Sequence, residues 1–370
     1  MLSVAVIGPG TVGEALVKML LEYKNSSRSA KLPIRIVGIT NSRKMVIKSP
    51  KVCEEGINTL DWKNKELMEG SDSQPANIES FVSKIKEQYE PAQTVLIDCT
   101  SNEGISNKYY EWLQQGFNVV TPNKKAFSGS LDYWKQLKEI TSRPGSPMLL
   151  HEATAGAGLP TLSTLNNLVL SGDKIEKIEG ILSGTLSFLF GEYSTGKATG
   201  KEFSKIVQVA KDNGFTEPDP RDDLNGMDVA RKVVILARLS GVDVELKDLD
   251  LENIVPSELR EVNSVEEFMQ RLPEFDNYFA ELNNSALENN QVLRYVGNLD
   301  LALNKYSVKL MRYPTSHAFA NLKPGDNIVS FTTKYFPNPL IIQGAGAGAD
   351  VTAFGIFCDV LKVAEGKFNL

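Results

Sequence analysis

Apolar positions in the first 150 residues of this 370-residue chain form short continuous runs that alternate with helical repeats. Ser3 to Ile7 is such a run, and Glu14 to Tyr23 then repeats apolar residues at helical spacing. Later predicted strands are Ile34 to Thr40, Thr94 to Ser101, Phe117 to Thr121 and Met148 to Leu150, and later predicted helices are Ile78 to Tyr89 and Ile105 to Gln115. Residues 45–75 read as irregular. Strands that alternate with helices indicate the α/β class.

A glycine-rich loop joins the first predicted strand to the first predicted helix. It reads Gly8-Pro9-Gly10-Thr11-Val12-Gly13. Glycines permit a tight turn and close backbone approach to a pyrophosphate, which the N–H groups of a helix N-terminus stabilise. A tight turn that binds nothing would not need this order of strand, loop and helix. We therefore predict a Rossmann-type domain whose dinucleotide-binding residues include Gly8, Gly10, Thr11, Val12 and Gly13.

The end of the second predicted strand favours NADP over NAD. An Asp or Glu at this point would hold the ribose 2′-hydroxyl of NAD, but the chain reads Thr40-Asn41-Ser42-Arg43-Lys44. Arg43 and Lys44 would attract a 2′-phosphate that a carboxylate would repel. The alternative is a solvated basic turn, so NAD stays open as the coenzyme.

The carboxyl ends of the other predicted strands supply further candidates, because open α/β sheets bind ligands at this edge. We predict Thr100 and Ser101 on the coenzyme side, and Lys124, in the next strand-end loop, within reach of substrate. Paired lysines in loops are usually solvated, which is the alternative for Lys124. Cys99 is interpreted as a buried thiol and not as a nucleophile.

The second half of the chain has a different pattern. Predicted helices are Leu162 to Leu170, Gly184 to Tyr193 and Phe203 to Asn213, and predicted strands are Ile175 to Leu182, Leu293 to Leu301, Tyr306 to Tyr313, Ile328 to Tyr335 and Pro339 to Ile342. The late strands could pair with the first of these strands in one sheet. Since 370 residues exceed the size of a single core, we predict two domains. These are a dinucleotide-binding domain over 1–150 and an α+β substrate-binding and dimerisation domain over 151–340, with a C-terminal helix over 341–370 returning to the first domain.

Composition narrows the classes of partner and chemistry. The net charge is −6 and no basic block is present, which argues against nucleic acid and anionic membranes as partners. The three cysteines, Cys53, Cys99 and Cys358, are widely spaced and fit neither a disulfide framework nor a clustered metal site. With only two histidines, acid–base chemistry must come from Lys, Asp or Glu. We expect a soluble cytoplasmic protein, without a membrane span, that binds a small molecule.

Two loops of small residues are further candidate sites. His151 to Pro160 has accessible glycine backbone, and Glu152 adds a carboxylate, which suits a hard monovalent or divalent cation better than zinc. A hinge between domains is the alternative. Gln343 to Asp350 opens the last helix with glycine backbone at its N-terminus, for which close helix-to-sheet packing is the alternative.

An acidic stretch from Gly214 to Lys232 leads into a predicted helix. Its two prolines are expected to keep its first half out of a helix, and Asp222 or Asp223 to provide the N-cap oxygen. Asp228 and Lys232 are four residues apart, so both project from one face. By itself this pattern is typical of a surface loop and an ordinary ion pair.

The chain resembles the homoserine dehydrogenase family along essentially its whole length. The resemblance rests on the glycine loop and on Thr121 to Phe127, His151 to Thr154, Thr216 to Gly226 and Gln343 to Gly348. It looks closest to the short fungal form, which implies a protein with no aspartate kinase segment ahead and no regulatory domain behind.

The resemblance implies reduction of aspartate 4-semialdehyde to homoserine with NADPH or NADH, in the threonine and methionine pathway, by a homodimer. It implies a substrate site of Glu217, Asp223, Asp228 and Lys232, with Lys232 as the proton donor and Lys124 near nicotinamide and substrate. Implied coenzyme contacts are Thr100, Gly214 and Gly348. The implied sodium site combines Glu152 with the backbone carbonyls of Ala155, Ala157 and Leu159. Ala155 replaces a commoner valine, which a carbonyl ligand tolerates.

The residues agree with this chemistry. Hydride delivery to an aldehyde carbon leaves an alkoxide, which an ammonium such as Lys232 can both stabilise and protonate. Carboxylates suit the amino group of the substrate. Two alternatives remain: an aldehyde-oxidising semialdehyde dehydrogenase, which needs a reactive cysteine near a histidine, and a non-catalytic NADP-binding protein, which has no need of the acidic stretch.

Overall fold

The computed structural model describes residues 1–51 and 54–368, and it divides into two units. The first unit contains residues 1–158 and 348–368, and the second contains residues 159–347. The division falls later than the sequence-based boundaries at 150/151 and 340/341. The loop after residue 150 packs with the C-terminal helix of the first unit, and Leu340–Ala345 forms a strand in the sheet of the second. Cys53, one of the three cysteines of the sequence, lies outside the described residues.

The first unit is built on a mixed sheet with helices between its strands. Its strands are β1 (Leu2–Ile7), β2 (Ile34–Thr40), β3 (Lys44–Ile47), β4 (Gln74–Pro75), β5 (Thr94–Asp98), β6 (Asn118–Val120) and β7 (Leu149–Leu150). Its helices before the second unit are α1 (Thr11–Lys24), α2 (Ile78–Gln88), α3 (Glu103–Ser106), α4 (Tyr109–Gln114), α5 (Lys125–Ser128) and α6 (Leu131–Thr141). The strand order is β4-β3-β2-β1-β5-β6-β7, and β2, β1, β5, β6 and β7 are parallel. The predicted Rossmann-type α/β fold is confirmed.

The sheet explains why its strands read as apolar runs. Every residue of β1 is buried, since a central parallel strand is covered on both faces. Helix α1 buries Leu16, Val17, Leu20 and Leu21 on the side that faces the core. The carboxyl ends of β1, β5 and β6 meet at one edge, which positions the loops that follow them.

Two local predictions for the first unit are wrong, and one helix was not predicted. Residues 45–75 are not irregular throughout, because β3 forms an antiparallel hairpin with β2; four residues are too few to show a clear period. The helix expected over Ile105 to Gln115 is divided into α3 and α4 at Asn107 and Lys108. Helix α6 was missed, although Ser130 caps it and Trp134 and Leu137 face the core.

The second unit combines helices with a mixed sheet. Its helices are α7 (Thr161–Leu170), α8 (Gly184–Tyr193), α9 (Phe203–Asp212), α10 (Pro220–Leu224), α11 (Met227–Leu239), α12 (Val265–Arg271) and α13 (Asp276–Leu287). Its strands are β8 (Ile175–Ile181), β9 (Asp250–Leu251), β10 (Gln291–Asp300), β11 (Lys305–Pro314), β12 (Asp326–Thr333) and β13 (Leu340–Ala345). The order is β13-β12-β8-β10-β11-β9, in which β9 is parallel to β11 and the other pairs are antiparallel. Strand β8 lies between β12 and β10, so the predicted pairing of the late strands with it is confirmed.

The acidic stretch forms two helices where one was predicted. Asp219 caps α10 by accepting a hydrogen bond from the Arg221 N–H at 3.0 Å, so the N-cap assignment to Asp222 or Asp223 is wrong. Pro220 occupies the first helical position, where its missing N–H costs nothing. Gly226, at φ 74°, then turns the chain into α11.

Helix α14 (Ala349–Phe368) completes the first unit. Ala353, Ile356 and Val360 are fully buried in the same apolar cluster as Leu16 and Leu20 of α1. The last helix therefore packs within the first unit. Among the helices of residues 1–51 and 54–368, none is long and apolar enough to cross a membrane.

Helix α11 is seated directly against β10 at Gly297. A Cβ at this position would lie 2.5 Å from Val233 Cγ2 and 3.4 Å from Val229 Cγ1. The glycine therefore allows the helix that carries Asp228 and Lys232 to pack closely on the sheet.

We predict that Gly297→Ala lowers the free energy of unfolding by about 1–3 kcal/mol, the usual cost of overpacking a core. Urea denaturation measures the change. Adding Val233→Ala removes the clashing methyl group, so the double variant should lose less stability than the sum of the two single variants. Strict additivity would contradict the close packing of α11 on β10.

Candidate active site

The glycine loop after β1 leaves its backbone open to a ligand. Gly8 has φ +76°, and a Cβ there would lie 2.3 Å from Thr100 Cγ2. A Cβ on Gly13 would lie 2.9 Å from the Gly8 carbonyl oxygen. At Gly10 no described atom would lie within 4 Å of an added Cβ, and no described side chain caps the first turn of α1. Exposed N–H groups at the start of a long helix fit a pyrophosphate.

The turn after β2 is fixed by Asn41. Its Oδ1 accepts hydrogen bonds from the backbone N–H groups of Arg43 at 2.7 Å and Lys44 at 2.8 Å. The side chain of Arg43 is exposed and that of Lys44 is half-buried. The turn therefore presents two cations where an NAD-binding domain carries a carboxylate, and these residues fit a 2′-phosphate.

The loop after β5 is held by the buried carboxylate of Asp98. Asp98 Oδ1 accepts from the Thr100 N–H at 2.8 Å, and Thr100 Oγ1 accepts from the Asn102 N–H at 3.1 Å. Ser101 is exposed. Burial raises the pKa of the Cys99 thiol, and the negative charge of Asp98 raises it further. A thiol in this setting is a poor nucleophile, as the sequence indicated.

Lys124 stands at the start of α5, in the loop after β6. It is half-buried, and its carbonyl oxygen accepts a hydrogen bond from Ser128 Oγ at 2.8 Å. Asn123, immediately before it, is buried and bonded to the loop after β5. The backbone of Lys124 is therefore fixed on both sides.

Lys232 is a buried cation in the second unit. Only 8% of the residue is exposed, and its Nζ lies 2.7 Å from Asp228 Oδ2. The same Nζ donates to the carbonyl oxygen of Leu182, at the end of β8, at 2.6 Å. An ordinary surface pair would be solvated on both sides, so the interpretation as a surface ion pair is wrong for Lys232.

The acidic groups near Lys232 differ in their exposure. Asp223 is half-buried, and its Oδ2 accepts from the Glu217 N–H at 2.8 Å, while the side chain of Glu217 is exposed. Burial raises the pKa of Asp223 to about 6; the Glu217 N–H and the Thr185 hydroxyl oppose the shift, and the charges of Glu217 and Asp228 add to it. Gly214, exposed at φ +70°, ends α9 just before this segment.

Sequence reasoning missed two groups beside this cluster, the carbonyl of Leu182 and the hydroxyl of Thr185. Thr185 Oγ1 donates to the Phe215 carbonyl oxygen at 2.6 Å and interacts with Asp223. A sequence signal for this region was present in Ser183, a typical N-cap residue. It caps α8 by accepting a hydrogen bond from the Leu186 N–H at 3.1 Å. A serine of this kind marks the point at which a strand ends and a helix begins.

The loop after β7 combines buried carboxylates with strained backbone. Glu152 is 5% exposed and Asp359 is 2% exposed, and Lys362 Nζ lies 3.2 Å from Glu152 Oε2 and 2.9 Å from Asp359 Oδ1. Ala157 has φ +53°, which is rare for a residue with a Cβ. The two buried carboxylates share the one ammonium of Lys362.

The predicted site residues fall into two sets. The first unit contains the glycine loop, Arg43, Lys44, Thr100, Ser101, Lys124, Glu152, Ala155, Ala157 and Gly348. The second contains Leu159, Gly214, Glu217, Asp223, Asp228 and Lys232. Gly348, exposed at φ +107°, directly precedes α14. In the part of the chain that the structure describes, no cluster of three or more His, Cys, Asp or Glu side chains could hold a metal ion.

These features define a two-domain α/β protein with a dinucleotide-binding domain. The model described as the homoserine dehydrogenase NAD-binding domain matches residues 8–150, and the model described as homoserine dehydrogenase matches residues 160–361. The chain belongs to the homoserine dehydrogenase family.

Relatives of two kinds match the chain. Homoserine dehydrogenase of Saccharomyces cerevisiae is 41% identical over 364 residues, which cover 98% of each chain. A bifunctional aspartokinase/homoserine dehydrogenase of Zea mays is 45% identical over 98% of this chain, which spans only 38% of the length of that relative. A Candida auris protein of unknown function superimposes with a TM-score of 0.89 at 42% identity, over 98% of each chain. A hyperthermophilic archaeal homoserine dehydrogenase mutant in complex with NADPH shares the fold, with a TM-score of 0.73 at 22% identity over 99% of this chain and 98% of that one.

We predict that Arg43→Ala combined with Lys44→Ala raises the dissociation constant of NADPH by roughly 10- to 100-fold, the usual effect of losing charge-assisted hydrogen bonds. The dissociation constant of NADH should change little, because it lacks the 2′-phosphate. Coenzyme fluorescence titration measures both constants. The control Lys86→Ala with Arg143→Ala removes the same charge from exposed positions of the first unit. Equal weakening of both coenzymes would contradict the assignment.

Proposed function

We propose that the chain catalyses the reversible NAD(P)H-dependent reduction of L-aspartate 4-semialdehyde to L-homoserine, a step of threonine and methionine biosynthesis. The observation that carries this proposal is the buried ammonium of Lys232, held by Asp228 and by the carbonyl of Leu182. Membership of the homoserine dehydrogenase family supports it.

Lys232 is suited to act as the proton donor. A bound nicotinamide coenzyme would supply the hydride, and the aldehyde oxygen would then gain negative charge. A desolvated ammonium stabilises such charge more strongly than a solvated one and can transfer a proton to it. Asp228 and the Leu182 carbonyl orient the ammonium, which restricts its motion.

Glu217 and Asp223 are suited to bind the amino group of the substrate. Both are carboxylates in one segment, and the Glu217 N–H bonded to Asp223 links them. Charge-assisted hydrogen bonds from an ammonium to carboxylates are stronger than neutral ones. The acidic segment thus selects an amino acid over an uncharged aldehyde.

Lys124 is proposed as a second functional lysine, in the first unit. Its position at the strand edge that binds ligands and the fixed backbone around it support this role. Thr100, Ser101, Gly214 and Gly348 are proposed coenzyme contacts. NADP is the favoured coenzyme because of Arg43 and Lys44, and NAD is the alternative.

A monovalent cation such as Na⁺ is proposed at Glu152, with the carbonyls of Ala155, Ala157 and Leu159 as further ligands. The two buried carboxylates and the strained backbone at Ala157 support it. We also propose a homodimer formed through the second unit, where β13 is an edge strand and Ile341 is 43% exposed. The free thiols of Cys99 and Cys358 support a cytoplasmic location.

The reaction is tested by following the reduced-nicotinamide absorbance with homoserine and either NADP or NAD. Turnover that depends on homoserine supports the proposal and shows the coenzyme preference. A protein that binds NADPH but turns over neither homoserine nor aspartate semialdehyde would be a non-catalytic binding protein. Oxidation of aldehyde with protection of Cys99 from alkylation by substrate would indicate a semialdehyde dehydrogenase instead.

We predict that Lys232→Ala lowers kcat by roughly 10²- to 10⁴-fold, the usual contribution of a positioned acid–base group. NADPH should bind as in the unsubstituted chain, since Lys232 lies in the other unit from the glycine loop. Steady-state kinetics and coenzyme fluorescence measure the two effects. Lys205→Ala, an exposed lysine of the same unit, is the matched control. Near-normal turnover of Lys232→Ala would refute its role, and Lys124→Ala would show whether Lys124 is the principal donor.

We predict that kcat/KM for aspartate semialdehyde with NADPH falls as the pH drops through about 6, the value to which burial raises the pKa of Asp223. Below this pH Asp223 is protonated and no longer attracts the substrate ammonium, so the fall approaches about tenfold per pH unit. Asp223→Asn should remove this dependence and lower kcat/KM at higher pH. Asp222→Asn, at an exposed neighbouring position, should retain it. The same acid limb in Asp223→Asn would refute the assignment.

A further inference from the structure

A buried polar cluster, which we call the Asp98 cluster, joins two strand-end loops of the first unit. It consists of Asp98, Tyr109, Thr121 and Asn123. Exposure of these residues is 0% for Asp98 and Tyr109, 1% for Thr121 and 3% for Asn123. None of them is a proposed ligand of coenzyme or substrate, so the burial of a carboxylate here calls for a reason other than direct binding.

The carboxylate of Asp98 has a partner on each of its oxygens. Its Oδ1 accepts from the Thr100 N–H at 2.8 Å. Its Oδ2 accepts from Tyr109 Oη at 2.5 Å and from Asn123 Nδ2 at 3.1 Å. Burial raises the pKa of Asp98, while these donors lower it. One carboxylate thus connects the loop after β5 with the loop after β6.

Asn123 extends this connection to the neighbour of Lys124. Its Nδ2 also donates to the Asn102 carbonyl oxygen at 3.0 Å, and its Oδ1 accepts from the Lys125 N–H at 3.1 Å. Its own N–H donates to Thr121 Oγ1 at 2.9 Å. Asn123 therefore fixes the chain on both sides of Lys124, through its own N–H on one side and its side chain on the other.

Thr100, at the other end of the cluster, is in contact with the glycine loop. Gly8 lies so close that an added Cβ would be 2.3 Å from Thr100 Cγ2. The position of Thr100 relative to the pyrophosphate-binding turn therefore depends on the bond between its N–H and Asp98. A displaced Thr100 would disturb that turn, and a displaced Asn123 would move Lys124.

We propose that Asp98 is a positioning residue for the reaction, because its carboxylate sets Thr100 on the coenzyme side and, through Asn123, sets Lys124 on the substrate side. This inference rests on the proposed function and on the proposed roles of Thr100 and Lys124. Tyr109 supports the carboxylate, and its hydroxyl also forms a hydrogen bond with Thr121 Oγ1 at 2.9 Å. Misplacement of reacting groups by about 1 Å is enough to cost on the order of 100-fold in rate.

The variant Asp98→Asn keeps the volume of the side chain and tests the proposal. With its oxygen on the Thr100 N–H, its amide would face the Asn123 amide, donor against donor. We expect kcat to fall on the order of 100-fold and the dissociation constant of NADPH to rise about tenfold. Tyr109→Phe leaves the other two donors on Asp98, so it should lower kcat less than Asp98→Asn does.

The matched control is Tyr133→Phe. Its hydroxyl, in the same unit, donates to the Ser106 carbonyl oxygen at 2.8 Å and accepts from the Tyr110 N–H at 3.3 Å, and these partners lie in α3 and α4. Tyr109→Phe and Tyr133→Phe should lower the melting temperature by similar amounts, whereas only Tyr109→Phe should lower kcat. A loss of kcat that follows the melting temperature across all three variants would overturn the proposal in favour of a purely structural role.

A double-variant cycle with Lys124→Ala distinguishes positioning from general damage. If Asp98 acts through Lys124, Asp98→Asn should lower the rate of hydride transfer far less in the Lys124→Ala background than in the unsubstituted chain. Single-turnover measurements with excess enzyme extend the cycle to slow variants. Additive losses of rate in the cycle would overturn the proposed action of Asp98 through Lys124. An unchanged NADPH dissociation constant in Asp98→Asn would overturn its proposed action through Thr100. Absence of turnover in the unsubstituted chain would instead refute the proposed function.

Discussion

The need to satisfy a buried ammonium organises the second unit. Lys232 lies among apolar residues of α11, and an ammonium in that setting must have close oxygen partners. The two oxygens come from opposite directions: Asp228 from the same helix and Leu182 from the end of β8. Helix α11 must therefore lie close to the central strands, and Gly297 on β10 removes the side chain that would prevent it. The packing of α11 and the proposed proton transfer by Lys232 therefore both depend on the close approach of α11 to the sheet.

The first unit also has a buried charged group at the end of a strand, the carboxylate of Asp98. Asp98 is buried at the carboxyl end of β5, where parallel strands converge and unpaired backbone groups are exposed. Its carboxylate has donors on both oxygens from two loops, so the charge stabilises those loops in one arrangement. In each unit a buried ion fixes strand-end groups. Replacing either ion by an apolar residue would leave its hydrogen-bonding partners unsatisfied.

Much of the fold could be predicted because its signals are local. Strand β2 was predicted with the bounds that the structure shows, since a buried parallel strand is a continuous apolar run. The pairing of β8 with β10 and β12 in one sheet was predicted from the β-rich pattern of the late segments. Helix α6 and strand β3 were missed, the first through neglect of its Ser130 cap and the second because it is short. The N-cap of α10 was misplaced because Pro220 was read as a helix breaker when it is a helix starter.

The residue types of the candidate site could be predicted more readily than the burial and the bonding partners of those residues. The spacing of Asp228 and Lys232 indicated an ion pair, but only the structure shows that Lys232 is buried and bonded to Leu182, which lies far away in sequence. The shifted pKa of Asp223 likewise depends on tertiary burial. Backbone carbonyl contacts such as that of Leu182 leave no trace in residue identity, and any residue can supply one.

In the turn after β2, different residues determine the backbone shape and the side-chain charge. Asn41 shapes this turn with its own side chain, by accepting the N–H groups of Arg43 and Lys44. The shape of the turn is therefore independent of which side chains stand at those two positions. Substitutions at those two positions change the charge that the turn presents and leave the two hydrogen bonds to Asn41 in place, since both are donated by backbone N–H groups.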